Sequence, residues 1–251
     1  MATKSSPLPS MPKNRRPVGI IAGTGVIGHF DVGKPRTVRT PYGTAVAFES
    51  SDGRYFVLPR HGRRHAVPPH RINYRANISA LGKLGVEEVI ATSAVGSMNR
   101  EFGVGQIGLV EQFLDFTKGR EATFFDDKVA HTDMTNPYSA RLNGELKRSG
   151  ERLGVEVRGG LVYVCAEGPR FETTAEIRMF RAMGGDVVGM TGVPEVVLAN
   201  EKGMQYASVV IATNWAAGMQ RRVSHGAVLE VMKRSGKKAG ELIEATIKAI
   251  R

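Results

Sequence analysis

The sequence predicts an α/β fold: a single three-layer domain in which helices flank a central β-sheet. Three observations predict it. Short apolar runs alternate with segments of helical spacing along the chain. No linker or low-complexity stretch interrupts the middle of its 251 residues. Glycine-rich and polar motifs fall where strands end, which is where ligands sit in such sheets. A chain of this length buries roughly three quarters of its unfolded surface and needs no disulfide staples.

The elements follow in order. Val18 to Ala22 is a buried strand ending in glycines. Thr44 to Glu49 and Arg54 to Leu58 are two strands, with hairpin turn chemistry in Ser51-Asp52-Gly53. Asn73 to Leu84 has helical spacing and stops at Gly85. Glu88 to Ser93 is a strand opening onto a loop, Ile107 to Phe116 a strand and Ser139 to Leu153 a helix. Leu161 to Cys165 is a strand leading through Gly168-Pro169 into a helix from Thr174, with Thr173 and Glu176 at capping-box spacing. Val187 to Met190 is a strand, Pro194 to Lys202 a helix, Ala207 to Thr213 a strand and Gly226 to Ile250 a long helix.

Charge and composition bound the function. A formal charge of +11 and a pI near 10.0 imply anionic partners. The basic residues are scattered and aromatics make up only 7%, so the stripe of cations and stacking rings that reads nucleic acid is missing. No apolar run approaches the ~20 residues of a membrane span. Residues 1–17 lack a hydrophobic stretch and read as a disordered tail, not a secretory signal. With Cys165 as the single cysteine, the expected location is cytoplasmic. No membrane partner is expected. The six histidines show no ligand spacing, so no metal is expected either.

Gly23-Thr24-Gly25-Val26-Ile27-Gly28 satisfies the dinucleotide fingerprint, and Glu49 stands where a ribose-binding acid belongs. The fingerprint needs a helix after the glycines, because that helix's N-terminus holds the pyrophosphate. His29 to Gly43 holds Gly33, Pro35, Pro41 and Gly43, which rules against a helix. A strand ending in Gly-Thr-Gly remains: an anion loop, or an ordinary tight turn.

Four further segments bear on the choice. Arg60-His61-Gly62 follows a strand, where an arginine fork matches phosphate oxygens; a solvated basic loop is the plain alternative. Thr92-Ser93-Ala94-Val95-Gly96-Ser97 offers hydroxyl and N–H donors but no acid or base. In Glu167-Gly168-Pro169-Arg170-Phe171-Glu172-Thr173, Phe171 can stack on a planar ring and Glu172 can accept from ring N–H groups. Core packing and a helix N-terminal acid explain the same two residues. Met190-Thr191-Gly192-Val193-Pro194-Glu195 and Thr213-Asn214 close the set, and an Asn side chain both donates and accepts.

With these motifs, and with Asn73-Tyr74-Arg75-Ala76-Asn77, the chain resembles the trimeric branch of the purine nucleoside and methylthioadenosine phosphorylases from Val18 to the C-terminal helix. The resemblance implies a single domain around a twisted, mixed central sheet. It assigns Thr24, Arg60, His61, Ser93, Ala94 and Thr191 to phosphate, with Met190 beneath the ribose. Phe171, Glu172 and Asn214 go to the base, and Asn214 and His61 carry the chemistry. His225 aligns with a residue that bonds the sugar 5′-hydroxyl, and His131 with one reaching a neighbouring subunit's site. It also implies no cofactor beyond phosphate as co-substrate, and a homotrimer or a dimer of trimers.

Adenine-specific relatives carry Asp near the position of Asn214 and a small hydroxyl residue at that of Glu172, so the expected substrates are 6-oxopurine nucleosides. Relatives specific for methylthio-nucleosides place an apolar residue where His225 stands, so His225 favours ordinary nucleosides, and methylthio-nucleosides are the alternative. A hydrolytic nucleosidase, a nucleic-acid-binding module and an NAD enzyme are the rival classes. Omitting phosphate, testing retention on DNA and testing cofactor binding separate them.

Overall fold

The computed structural model describes residues 16–62, 66–220 and 225–251, so residues 1–15 of the expected tail lie outside the described residues. The first apolar run, Val18–Ala22, is strand β1, buried at every position. A strand buried on both faces needs neighbours on each side and helices above and below. It has both. In parallel, β1 pairs with β4 (Tyr55–Pro59) and with β5 (Glu88–Ser97).

Between β1 and β4 lie β2 (Pro35–Thr40) and β3 (Gly43–Glu49), joined antiparallel to each other, with β3 antiparallel to β4. The turn into β4 forms as expected, with Gly53 at φ +71° and the Asp52 side chain accepting from the Arg54 amide. β2 is an addition to the elements read from sequence. It is the sheet's edge and has no fully buried residue, so its residues carry no apolar alternation to reveal it. After Gly-Thr-Gly the chain makes only one 3₁₀ turn, Ile27–His29, where a dinucleotide site needs a helix.

The remaining strands are β6 (Ile107–Phe116), β7 (Val157–Ala166), β8 (Val187–Gly189) and β9 (Gln205–Trp215). The mixed sheet runs β2-β3-β4-β1-β5-β8-β7-β6-β9, and β5 also pairs in parallel with β9. The last five strands therefore close on themselves. Their circuit is β5 antiparallel to β8, β8 parallel to β7, β7 parallel to β6, and β6 antiparallel to β9.

Helices cover both faces. α1 (Tyr74–Lys83) and α4 (Glu195–Glu201) pack Ile78, Leu81, Val196 and Leu198 against Ile21, Phe56 and Leu58. On the other face, α2 (Ala140–Leu153) and α5 (His225–Ile250) pack Leu142, Leu146, Leu242 and Ile243 against Ile20, Val57 and Val209. Ile20 and Ile21 point to opposite faces, as the two-residue period of a strand requires. α3 (Thr174–Ala182) packs Ile177 and Phe180 on Met98, Val164 and Val188.

Local chemistry ends these helices where the sequence signals it. Ser139 caps α2 by accepting from Leu142 N, and Gly154 closes it at φ +65°. Thr173 and Glu176 form the reciprocal capping box of α3. Thr173→Ala should destabilise the protein by about 1 kcal/mol. Urea denaturation checks this, and an unchanged midpoint would show that α3 is held by its packing alone.

Candidate functional site

Strands β1, β4, β5 and β9 are mutually parallel through β1 and β5, so their carboxyl ends share one side of the sheet. One cavity of about 520 Å³ opens there, a size that suits a small organic ligand. Gly23 and Thr24 after β1, Arg60 and His61 after β4, and Ser93 to Gly96 of β5 line it. So do Met190 and Thr191 after β8, Thr213 and Asn214 of β9, and Pro169, Phe171 and Glu172 ahead of α3. Arg60 and Glu172, named for opposite ends of one ligand, open onto the same space.

Arg60 is not a loop cation. Its side chain is 1% exposed, and Nε and Nη2 each donate at 2.7 Å to one carboxylate oxygen of Glu195, itself fully buried. Nη1 donates to the Thr92 carbonyl at 2.6 Å, and Tyr206 Oη donates to Glu195 at 2.7 Å. Burial pulls the guanidinium pKa down, but the charge and hydrogen bonds of Glu195 outweigh it, and the net shift is upward. Arg60 is therefore an arginine fixed in orientation and permanently charged. Gly23 makes room for this: a Cβ there would lie 2.5 Å from Thr92 O and 3.0 Å from Arg60 Nη1. Glu195 closes the Met190–Glu195 motif, but the sequence gives it no role, because an acid in the first turn of a helix is ordinary.

The hydroxyls divide by role. Ser93 Oγ and Thr191 Oγ1 are buried and 3.4 Å apart, so two donors converge on one spot beside Arg60. Thr92 Oγ1 instead accepts from Gly23 N at 2.9 Å, and Ser97 Oγ turns inward to Asn99 O. Of the three β5 hydroxyls, Thr92, Ser93 and Ser97, only Ser93 lines the cavity. Thr191 is set from behind: Tyr163 Oη accepts from the amides of Thr191 and Gly192 at 3.2 and 3.3 Å. His61 has Nδ1 2.9 Å from Val67 O, and because a carbonyl only accepts, Nδ1 carries the hydrogen.

Across the cavity, Phe171 is 41% exposed, so core packing does not explain it. The capping box of α3 is complete without Glu172, so helix capping does not explain that residue either. Burial raises the pKa of Glu172, against an opposing hydrogen bond from its own amide. Asn214 is buried with a fixed amide. Nδ2 donates to Trp215 O at 2.9 Å, and Oδ1 accepts from Thr213 Oγ1 at 3.0 Å. The lone Cys165 is buried beneath the Val193 backbone, and burial pushes its thiol up to about 12, which makes it inert.

Two residues named from sequence are not in this set. His131 is exposed and is not part of the cavity lining of its own chain. The backbone of His225 begins α5, but its side chain lies outside the described residues. Among the described residues no His, Cys, Asp and Glu group could hold a metal, and no helix is long and apolar enough to cross a membrane.

Residues 17–248 match the family described as the phosphorylase superfamily. The chain belongs to that superfamily. It is 50% identical, over 93% of its length and 92% of the relative's, to a probable S-methyl-5′-thioinosine phosphorylase of Methanopyrus kandleri. It is 49% identical, over 93% of each chain, to a probable 6-oxopurine nucleoside phosphorylase of Moorella thermoacetica. Among solved structures, the methylthioadenosine phosphorylase of Schistosoma mansoni in complex with adenine superposes with a TM-score of 0.88 at 34% identity, covering 94% of this chain and 92% of that one. The mixed sheet and its flanking helices are thus the fold of this superfamily.

Glu195→Ala leaves Arg60 buried without its counter-charge, and removing one partner of a buried pair costs about 3–5 kcal/mol. Thermal denaturation should show that loss. A change under about 1 kcal/mol, the range of a surface pair, would mean that the two groups are solvated in solution.

Proposed function

We propose that this chain is a purine nucleoside phosphorylase that uses inorganic phosphate to split 6-oxopurine nucleosides, inosine or guanosine, into free base and pentose 1-phosphate. One observation carries this reading: a fixed, charged Arg60 beside the Ser93 and Thr191 hydroxyls opens onto the same cavity as Glu172 and Asn214. Anion donors at one end and an acid–amide pair at the other suit phosphate and purine on either side of a sugar. The name of the Moorella thermoacetica relative supports the substrate class.

Phosphorolysis at such a site proceeds through a loosened glycosidic bond. The sugar gains oxocarbenium character, and the phosphate held by Thr24, Arg60, His61, Ser93, Ala94 and Thr191 stabilises that cation from below. Met190 supports the ribose. Asn214 takes up the charge growing on the leaving purine at N7 and O6, while Phe171 and Glu172 fix the ring. Glu172 as a carboxylate accepts from N1–H of hypoxanthine or guanine. Adenine N1 is an acceptor and would face it lone pair to lone pair. A mismatch of that kind discriminates by ~10⁴-fold or more.

A second reading has its own support. Val67, Pro68, Pro69 and Val228 give the cavity an apolar section, which suits a buried thioether, and the Methanopyrus kandleri relative is named for methylthioinosine. Both substrates share the 6-oxopurine ring, so the base site is the same. The working enzyme is proposed to be a cytoplasmic homotrimer or dimer of trimers, with the exposed His131 reaching a neighbour's sugar.

Omitting phosphate should abolish base release from inosine, guanosine and methylthioinosine, followed by ultraviolet absorbance. Cleavage that persists without phosphate would mean hydrolysis. Asn214→Ala should lower kcat by about 10²–10³-fold. Ser97→Ala, whose hydroxyl is turned away from the cavity, should stay near wild type, and equal losses would remove the role given to Asn214. Glu172 takes its proton at a higher pH than an ordinary glutamate. As pH falls through that raised value, the carboxyl becomes a donor, repelled by N1–H and matched to adenine N1. The inosine-over-adenosine ratio of kcat/KM should therefore narrow on acidification in the wild type and stay flat in Glu172→Gln. A wild-type ratio independent of pH would contradict the proposed contact.

A further inference from the structure

We infer that Arg120 is a positioning residue that locks three walls of the cavity to one another, resting on the phosphorylase reading of that cavity. Arg120 stands in the long connection between β6 and α2, and its side chain is 3% exposed. Its guanidinium makes hydrogen bonds to three separate segments. Nη1 donates to the carbonyls of Met190 and Val193, at 2.9 and 2.7 Å. These bracket Thr191 and Gly192, so the segment that carries the ribose residue Met190 is held at both ends. Nη2 donates to the Glu167 carbonyl at 2.7 Å, and Nε to the Glu167 carboxylate at 3.2 Å. That residue opens the turn through Gly168 and Pro169 to Phe171 and Glu172, which is the base wall. Nη1 also lies 3.2 Å from Tyr74 Oη, which in turn donates to the carbonyl of Pro69 in the third wall.

The walls so joined are in contact. Gly168 has φ +68°, and a Cβ there would lie 2.6 Å from Met190 Sδ. The turn that carries the base residues therefore rests directly on the residue assigned to the ribose. Contact alone does not set their spacing, because a methionine side chain is flexible. The planar fork of Arg120 sets it, with donors aimed at fixed carbonyls on both sides. A backbone amide of Lys118 adds a 2.7 Å bond to the Glu167 carboxylate, which keeps that acid turned toward the guanidinium. Thr191 N is held independently by Tyr163, and Arg60 by Glu195, so the anion end does not depend on this clasp. What depends on it is the separation of purine from sugar, and an error of about 1 Å there is enough to cost 10²-fold in rate.

The test compares Arg120→Ala and Arg120→Lys with Asn143→Ala, which removes a buried bond to Val110 O between residues that do not line the cavity. In Arg120→Ala, kcat/KM for inosine should fall about 100-fold, while KM for phosphate moves less than about threefold, a ratio set by the intact anion end. Millimolar guanidinium should restore part of the rate. Arg120→Lys should lie between, since an ammonium cannot bridge planar partners on opposite sides. Asn143→Ala should lower the melting temperature and leave both KM values alone. Hydrogen exchange needs no substrate: the amides of 167, 168 and 170–172 and those of Met190 and Val193 should exchange faster together in Arg120→Ala, and those of 205–215 should not. Unchanged exchange in both segments would overturn the inference whether or not inosine is the substrate. A wild type that ignores inosine while the two segments loosen together would sink the substrate assignment and leave the clasp standing.

Discussion

A guanidinium in a dry interior requires an anion, and in this protein that requirement organises the site. Arg60 is held by both oxygens of Glu195, and Glu195 is held again by Tyr206. The three residues come from just after β4, the start of α4 and the beginning of β9, so the cluster ties two strands of the sheet to one helix. A buried pair of this kind is poor evidence of net stability, because desolvation offsets most of its attraction. Its return is orientation. The charge is kept where solvent cannot screen it, and for the proposed phosphate its donors need not reorganise.

The same device recurs around the cavity with different chemistry. Tyr163 gathers two amides behind Thr191, Trp215 and Thr213 fix the Asn214 amide, and Arg120 gathers carbonyls behind Met190 and Glu167. Thr191, Asn214 and the Met190 backbone each have a neighbour that sets their direction. Glu172 differs: it is half-buried, with burial rather than a partner setting its titration. A carboxylate that waits for a donor suits recognition, because the ligand itself supplies the missing hydrogen bond.

Much of this was legible in the chain. The Gly-Thr-Gly end of β1, the strand-end Arg60, the Thr173–Glu176 cap and the polar ends of β5 and β9 are local signals with local causes. The failure of the dinucleotide fingerprint was legible too, because proline and glycine in residues 29–43 forbid the helix it needs. Glu195 and Arg120 were not. An acid in the first turn of a helix and an arginine in a long connection are ordinary, and nothing in their neighbours says that both are buried. Edge strand β2 escaped for the opposite reason: it buries no complete face, so it writes no pattern.

The sequence by itself determined the elements other than β2, their alternation and the residue types at strand ends, since helix caps, turns and apolar periodicity act over a few residues. The tertiary structure alone decided that β5 pairs with both β8 and β9 and closes a circuit of five strands. It alone decided which hydroxyl of Thr92, Ser93 and Ser97 faces the cavity. Both rest on contacts between distant parts of the chain: Ser93 meets Thr191 98 residues on, and Thr92 meets Gly23 69 residues back. Spacing within a motif carries no information about contacts at that distance.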